Sequence, residues 1–332
     1  MTAPWIARQT EALLAQRGHA WLLQGPSGLG QYELALALVS AWLCEQPTAQ
    51  GACGHCPSCH AIEVRTHADL AVLMPETQML ELGWPLSEKA QADIDDKKRK
   101  PSKEIRVEAM RDLVEFAQRT DARGRGKAVL VFPAERMNAV TANALLKTLE
   151  EPPGDVRFVL ATEAAHQLLP TIRSRCQTHT LAWPEGAEAL DWLAGQGVEA
   201  PVAEALLRSA GGRPSDALRQ NGAGLSPAWW AALPKAMQQG DASHLSDLSP
   251  AQAIDALQKL CHDLVLRGSG AEPRFFMASQ LPACHASVMT LTDWFKRLMQ
   301  SARTAEHPFN AGLMLEALAN DAQQALNARD AA

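Results

Sequence analysis

Apolar positions in the first half of the chain come in short unbroken runs, each followed by sequence of helical periodicity. Trp21-Leu22-Leu23 leads through a glycine-rich turn into the apolar stretch Leu34–Leu43. Ala128–Phe132 (AVLVF) leads into Glu135–Glu151, which Pro152-Pro153 stops, and Val156–Ala161 (VRFVLA) precedes a segment ending at Leu169-Pro170. Continuous apolar strands alternating with helices predict a parallel sheet covered on both faces. In the helix after AVLVF, Ala144, Leu145 and Leu149 fall at helical spacing and are expected to face the sheet. Between Pro75 and Pro101 the pattern decays into mixed polar sequence with the charge run DIDDKKRK, which predicts a solvated loop over Gln91–Lys103. Asp93, Asp95 and Asp96 nearly neutralise Lys97–Lys100, so a solvated loop is favoured there over contact with nucleic-acid phosphates.

Beyond Trp183-Pro184 the strand signal disappears. Ala187–Leu193 and Val202–Ala210 read as short amphipathic helices closed by glycines. After Gly222-Ala223-Gly224, Ala/Leu-rich helices alternate with Gly, Pro and Ser breaks, a composition that suits a helical bundle. The expected class is therefore α/β followed by all-α. A chain of 332 residues is too long for one ordinary domain. A net charge of −6 argues against a surface that binds polyanions everywhere, though not against a local basic patch. No stretch approaches the roughly 18 apolar residues of a membrane helix. The start, with Arg8 and Glu11 inside an amphipathic pattern, lacks a secretory h-region. The expectation is a cytoplasmic protein with no membrane partner. In that reducing compartment clustered cysteines point to a metal and not to disulfides.

Gly25-Pro-Ser-Gly28-Leu-Gly30-Gln31-Tyr32 lies where a strand meets a helix, the context of a phosphate-binding loop. In the working pattern G-x-x-x-x-G-K-[ST], backbone N–H groups cradle phosphates, lysine neutralises them and the hydroxyl holds magnesium. Here Gln31 replaces the lysine and Tyr32 the hydroxyl residue. AVLVF should end in an acidic pair; it runs into Phe132-Pro133-Ala134, and the first carboxylate, Glu135, comes two positions late. Each charge-assisted contact is worth about 1.5–3 kcal/mol, so losing three removes roughly 5–9 kcal/mol, whereas micromolar affinity amounts to only about 8 kcal/mol. Nucleotide binding is expected to be lost or weak, and the loop to serve as a turn.

Cys44, Cys53, Cys56 and Cys59 form a C-x8-C-x2-C-x2-C cluster, and four thiolates complete a closed tetrahedral zinc site with no position left for water. The role expected is structural. His55 and His60 are neighbouring alternatives, but four cysteines already saturate the ion. Cys176, Cys261 and Cys284 are isolated and read as ordinary core or partly buried thiols. Trp229-Trp230 reads as packing, and no Ser/His/Asp or paired-carboxylate constellation stands out.

The run AERMNAVTANALLKTLEEPP (Ala134–Pro153), LLPTIRSRCQ (Leu168–Gln177), the four-cysteine insert and GGRPSDAL (Gly211–Leu218) resemble the clamp-loader subunits of bacterial DNA polymerase III over roughly residues 1–220. The decayed loop resembles the delta-prime branch more than the ATP-hydrolysing gamma/tau branch. The resemblance implies an AAA+ parallel-sheet domain with a zinc module over 1–183, a small helical lid domain over 184–222 and a helical collar domain over 223–332. It implies work beside gamma/tau and delta subunits, loading a sliding clamp onto primer-template DNA. It also implies a role for the Ser174-Arg175-Cys176 motif: Arg175 is the arginine finger, reaching in trans into a neighbour's ATP site. Active relatives carry a nucleotide-sensing arginine in a G-S-x-R-D arrangement; Ser215 stands at its place, with Arg213 two positions earlier. The rival readings are an ATP-hydrolysing gamma/tau-like subunit and a zinc-dependent DNA-binding module, the latter opposed by the acidic net charge.

Overall fold

A computed structural model describes residues 2–305, 307 and 310–328. It divides into two compact units, Met1–Pro184 and Glu185–Ala332. The first carries, in chain order, α1 (Pro4–Leu14), β1 (Ala20–Gln24), α2 (Gln31–Leu43), α3 (Pro57–Glu63), β2 (Leu70–Leu73), α4 (Glu76–Glu81), α5 (Glu88–Asp95), α6 (Val107–Gln118), β3 (Lys127–Val131), α7 (Ala139–Glu150), β4 (Val156–Thr162), α8 (Pro170–Arg173) and β5 (Gln177–Thr180).

All strand pairings are parallel and the sheet order is β2-β3-β4-β1-β5. The three runs expected to be strands are its centre. They are buried on both faces, which is why they contain no polar alternation. Ala20, Leu22, Val129, Val131, Phe158 and Leu160 face α6 and α7, meeting Met110, Leu113, Ala142, Leu145 and Leu149. The alternate strand residues point to the opposite face, where α2 lies against β3 and β4. The two edge strands were not expected. β2 is a four-residue LAVL, and β5 is the polar, largely exposed QTHT; neither is long enough to declare itself by pattern.

Two sequence expectations need correction. Ala144 is exposed: the buried stripe of α7 is Thr141, Ala142, Leu145, Thr148 and Leu149, and Ala144 lies one step around the helix from it. Gln91–Lys103 is not simply a solvated loop. Its start belongs to α5, capped by the Ser87 hydroxyl accepting from the Ala90 amide. Arg99 folds back onto Glu76, which also accepts from the Ser102 amide at 2.8 Å, and lies 3.7 Å from Asp93. Those contacts hold the Glu76 carboxyl below its usual range although burial alone would raise it: Arg99 and the Ser102 amide outweigh the desolvation. Lys98 pairs with Asp96, the local neutralisation expected from the run.

The second unit is helical throughout its described residues: α9 (Gly186–Gly195), α10 (Ala200–Ser209), α11 (Pro214–Gly222), α12 (Pro227–Gln239), α13 (Pro250–Gly268), α14 (Val288–Ala302) and α15 (Ala311–Asn327). One hydrophobic cluster runs from Ala189 and Leu193 on α9 to Leu326 on α15, with Trp230, Phe276 and Trp294 buried in it. Trp229 and Trp230 pack edge to face at 5.1 Å, and Trp229 stacks on His244, so this pair is spent on the local core. Buried Asp263 ties down the loop after α13 by accepting from the amides of Arg274, Phe275 and Phe276. No helix among the described residues is long and apolar enough to cross a membrane.

Candidate functional site

The glycine loop connects β1 to α2, and its shape is set by residues that leave no room for a side chain. Gly28 and Gly30 have φ of +78° and +99°. A Cβ on Gly30 would come within 2.7 Å of the tip of the Ile6 side chain, which would have to shift, and the positive φ itself favours glycine. The Trp5 indole N–H donates to the Leu29 carbonyl at 2.9 Å and fastens the loop to α1.

Gln31, at the lysine position, is almost fully buried. Its side-chain amide donates to the carbonyls of Gly25 at 2.8 Å and Pro26 at 2.6 Å. Where an active loop sends an ammonium outward to a phosphate, this one turns an amide inward onto its own backbone. Tyr32, at the hydroxyl position, is buried too. Its ring lies 5.5 Å from Phe132 and its oxygen accepts from the Trp84 indole at 2.8 Å. Burial pushes the Tyr32 phenol up, keeping it neutral. Glu135 is engaged as well, its carboxylate accepting from the Thr162 hydroxyl at 2.6 Å and the Glu163 amide at 3.1 Å. The residues standing at all three positions are thus engaged by intramolecular partners.

The four cysteines converge. Cys44 ends α2, Cys56 caps α3, Cys59 lies inside α3, and Cys53-Gly54-His55-Cys56 turns between them with Gly54 at φ +79°. Their sulfurs all lie within 4.8 Å of one another. Measured separations are 3.5 Å (Cys56–Cys59), 3.7 Å (Cys44–Cys59), 3.8 Å (Cys44–Cys56) and 4.0 Å (Cys53–Cys59). A tetrahedron with metal–sulfur bonds of about 2.3 Å has edges of about 3.8 Å, so the donor set fits a metal ion. The Gln46 and Cys53 amides donate to Cys44 Sγ, and the Cys59 amide to Cys56 Sγ, the hydrogen bonds that thiolates accept. Burial pushes Cys59 up to about 12; at Cys56 burial also raises the thiol, but the amides of Cys59 and Glu45 and the neighbouring thiols prevail and bring it to about 6. A cation would displace the remaining protons. His55 and His60 point elsewhere, to the Cys53 carbonyl and Glu63, and neither belongs to the cluster.

Arg175 follows α8, on the side of the sheet carrying α7. Its guanidinium pairs with Glu150, the last residue of α7, and donates to the Thr171 carbonyl at 2.9 Å. The pair is partly exposed. Sequence reading singled out Arg175 but gave no partner for it, because Glu150 lies 25 positions away. Cys261 is a core thiol and Cys176 a partly buried one packed against the sheet core, and burial raises both to about 12. In the second unit Arg213 is tied to Asp216, which also holds Arg219.

These features meet in one family. The profile described as "DNA polymerase III, delta subunit" matches residues 7–185. The chain is 40% identical over 213 residues to DNA polymerase III subunit delta-prime of Pseudomonas aeruginosa, covering 64% of this chain and 58% of that protein. It belongs to the DNA polymerase III delta-prime subunit family. The delta-prime subunit of Escherichia coli is 36% identical over 221 residues, 65% of this chain and 59% of that protein. Tau of Escherichia coli is 35% identical over 158 residues, 48% of this chain and 20% of its own length. The matched segment thus spans less than two thirds of these relatives. The parallel sheet followed by a unit that is helical over its described residues is the α/β plus all-α class expected from the sequence.

Proposed function

We propose that this chain is a non-hydrolysing subunit of a DNA polymerase III clamp loader, working in the cytoplasm beside gamma/tau and delta subunits to load a sliding clamp onto primer-template DNA. The observation that carries the reading is Gln31: at the lysine position its amide is turned onto the Gly25 and Pro26 carbonyls, and Tyr32 and Glu135 are committed to other partners. Family membership supplies the setting. Arg175 is then the contribution to catalysis, an arginine finger lent in trans to a neighbour's ATP site, where a guanidinium stabilises charge on the transferring phosphoryl group. Its partial exposure at the end of a short helix suits that use. Cys44, Cys53, Cys56 and Cys59 would hold one structural Zn²⁺, which supplies cross-linking of α2 to α3 and no open coordination position. Residues 184–222 would act as the lid and 223–332 as the collar.

The test is reconstitution of the loader with Arg175→Ala. DNA-stimulated ATP turnover should fall while assembly is retained; unchanged turnover would remove the finger role. The ATP-hydrolysing alternative draws on the likeness to tau and would need the loop to bind nucleotide without the lysine and hydroxyl positions.

A further inference from the structure

Arg175 does not hang in solvent, and the way it is held bears on its proposed use. A guanidinium is planar with five N–H donors, two edges of which can each present a parallel pair. Glu150 Oε1 accepts from both Nε and Nη2, so the carboxylate takes the side edge. Nη1 donates to the Thr171 carbonyl at 2.9 Å and lies 3.5 Å from the Ser174 hydroxyl, the outer limit of a hydrogen bond. Nη1 and Nη2 each carry two N–H groups, so beyond Glu150 and Thr171 each has a second donor with which to build the end edge. That forward fork is the edge that grips two oxygens of a phosphate.

Both supports are fixed. Glu150 ends α7, whose Leu145 and Leu149 are buried against the sheet. The Arg175 amide donates to the carbonyl of Ile172, which is fully buried. Glu150 also sits at the negative end of its helix dipole, where a carboxylate is disfavoured unless a cation joins it.

We propose that Glu150 is the positioning residue of the finger: it clamps the side edge of Arg175 so that the end edge faces the incoming phosphate. This rests on the reading of Arg175 as a finger. The opposite role, a restraining latch, differs in the sign of its effect: removing a latch speeds phosphate release, whereas removing a clamp slows it. The Glu150 carboxylate is about half exposed, so water screens its repulsion of a phosphate beyond the guanidinium. Losing the orientation of one charge-assisted hydrogen bond costs roughly tenfold or more.

The experiment is single-turnover phosphate release by the reconstituted loader on primed DNA, with Arg175→Ala, Glu150→Ala, Glu150→Gln and the Glu150→Ala/Arg175→Ala pair. The phase lost in Arg175→Ala should slow roughly tenfold in Glu150→Ala at unchanged KM for ATP. Glu150→Gln, which keeps an acceptor oxygen, should restore most of it, and Glu150→Ala should add nothing to Arg175→Ala. Faster release in Glu150→Ala, or an equal loss when Arg175 is already absent, would overturn the positioning role while leaving the finger intact. No loss in Arg175→Ala would overturn both.

Discussion

Restoring the lysine of the phosphate loop should not restore the nucleotide. In Gln31→Lys the ammonium has two places to go. If it stays inside, it can reach the Gly25 and Pro26 carbonyls but becomes a buried cation with no carboxylate among the loop groups described, a penalty of several kcal/mol. If it swings out, the carbonyl of half-buried Gly25 loses its donor at about 1–3 kcal/mol, while that of exposed Pro26 can take water instead. The cheaper route therefore costs about 1–3 kcal/mol, and at roughly 2–4 °C per kcal/mol for a unit of this size Tm should fall by about 2–12 °C. The gain in binding is smaller than what is missing. One recovered contact returns about 1.5–3 of the roughly 5–9 kcal/mol, so the affinity for MgATP should remain millimolar or weaker. Differential scanning calorimetry and isothermal titration of the purified variant read both quantities. A Kd below about 10 μM with an unchanged Tm would refute the argument that the loss is shared among Gln31, Tyr32 and Glu135.

The remaining predictions concern the metal and pH. Elemental analysis of purified protein should give about one zinc per chain, and Cys56→Ser should lose it. Hydrogen exchange in that variant should then quicken over 44–63 while β1, β3 and β4 stay protected, since the cysteines form a packing cluster apart from the sheet core; metal-free protein with equal protection would contradict the assignment. Burial lowers His179 from 6.5, so it stays neutral in the fold, where it meets Gln9 Oε1 at 2.9 Å. The unfolded chain takes up that proton first. This stability is therefore complete above about pH 6.5 and erodes as pH falls below it, until the folded imidazole is protonated too. His179→Gln should flatten that part of the Tm–pH profile, and a slope that does not change would exclude the residue as its source.

What could be read from the sequence was what is contiguous. The glycine loop, the cysteine spacing and the three central strands lie within short windows, and their chemistry follows from residue type and order. The edge strands were illegible because four residues cannot establish a period, and QTHT carries no apolar signal at all. Long-range pairings were equally invisible: Trp84 reaches Tyr32 across 52 positions, and Arg99 reaches Glu76 across 23, turning an apparently solvated charge run into an anchored one. Ala144 went wrong for a narrower reason. One residue's rotation, about 100°, separates the sheet side of α7 from its outer side, and alanine is small enough to be at home on either.

A brace that is part of the chain cannot diffuse away. The Gln31 amide stays beside the Gly25 and Pro26 carbonyls whatever small molecules surround the protein, so the turn between β1 and α2 keeps its internal strut in every solution it meets.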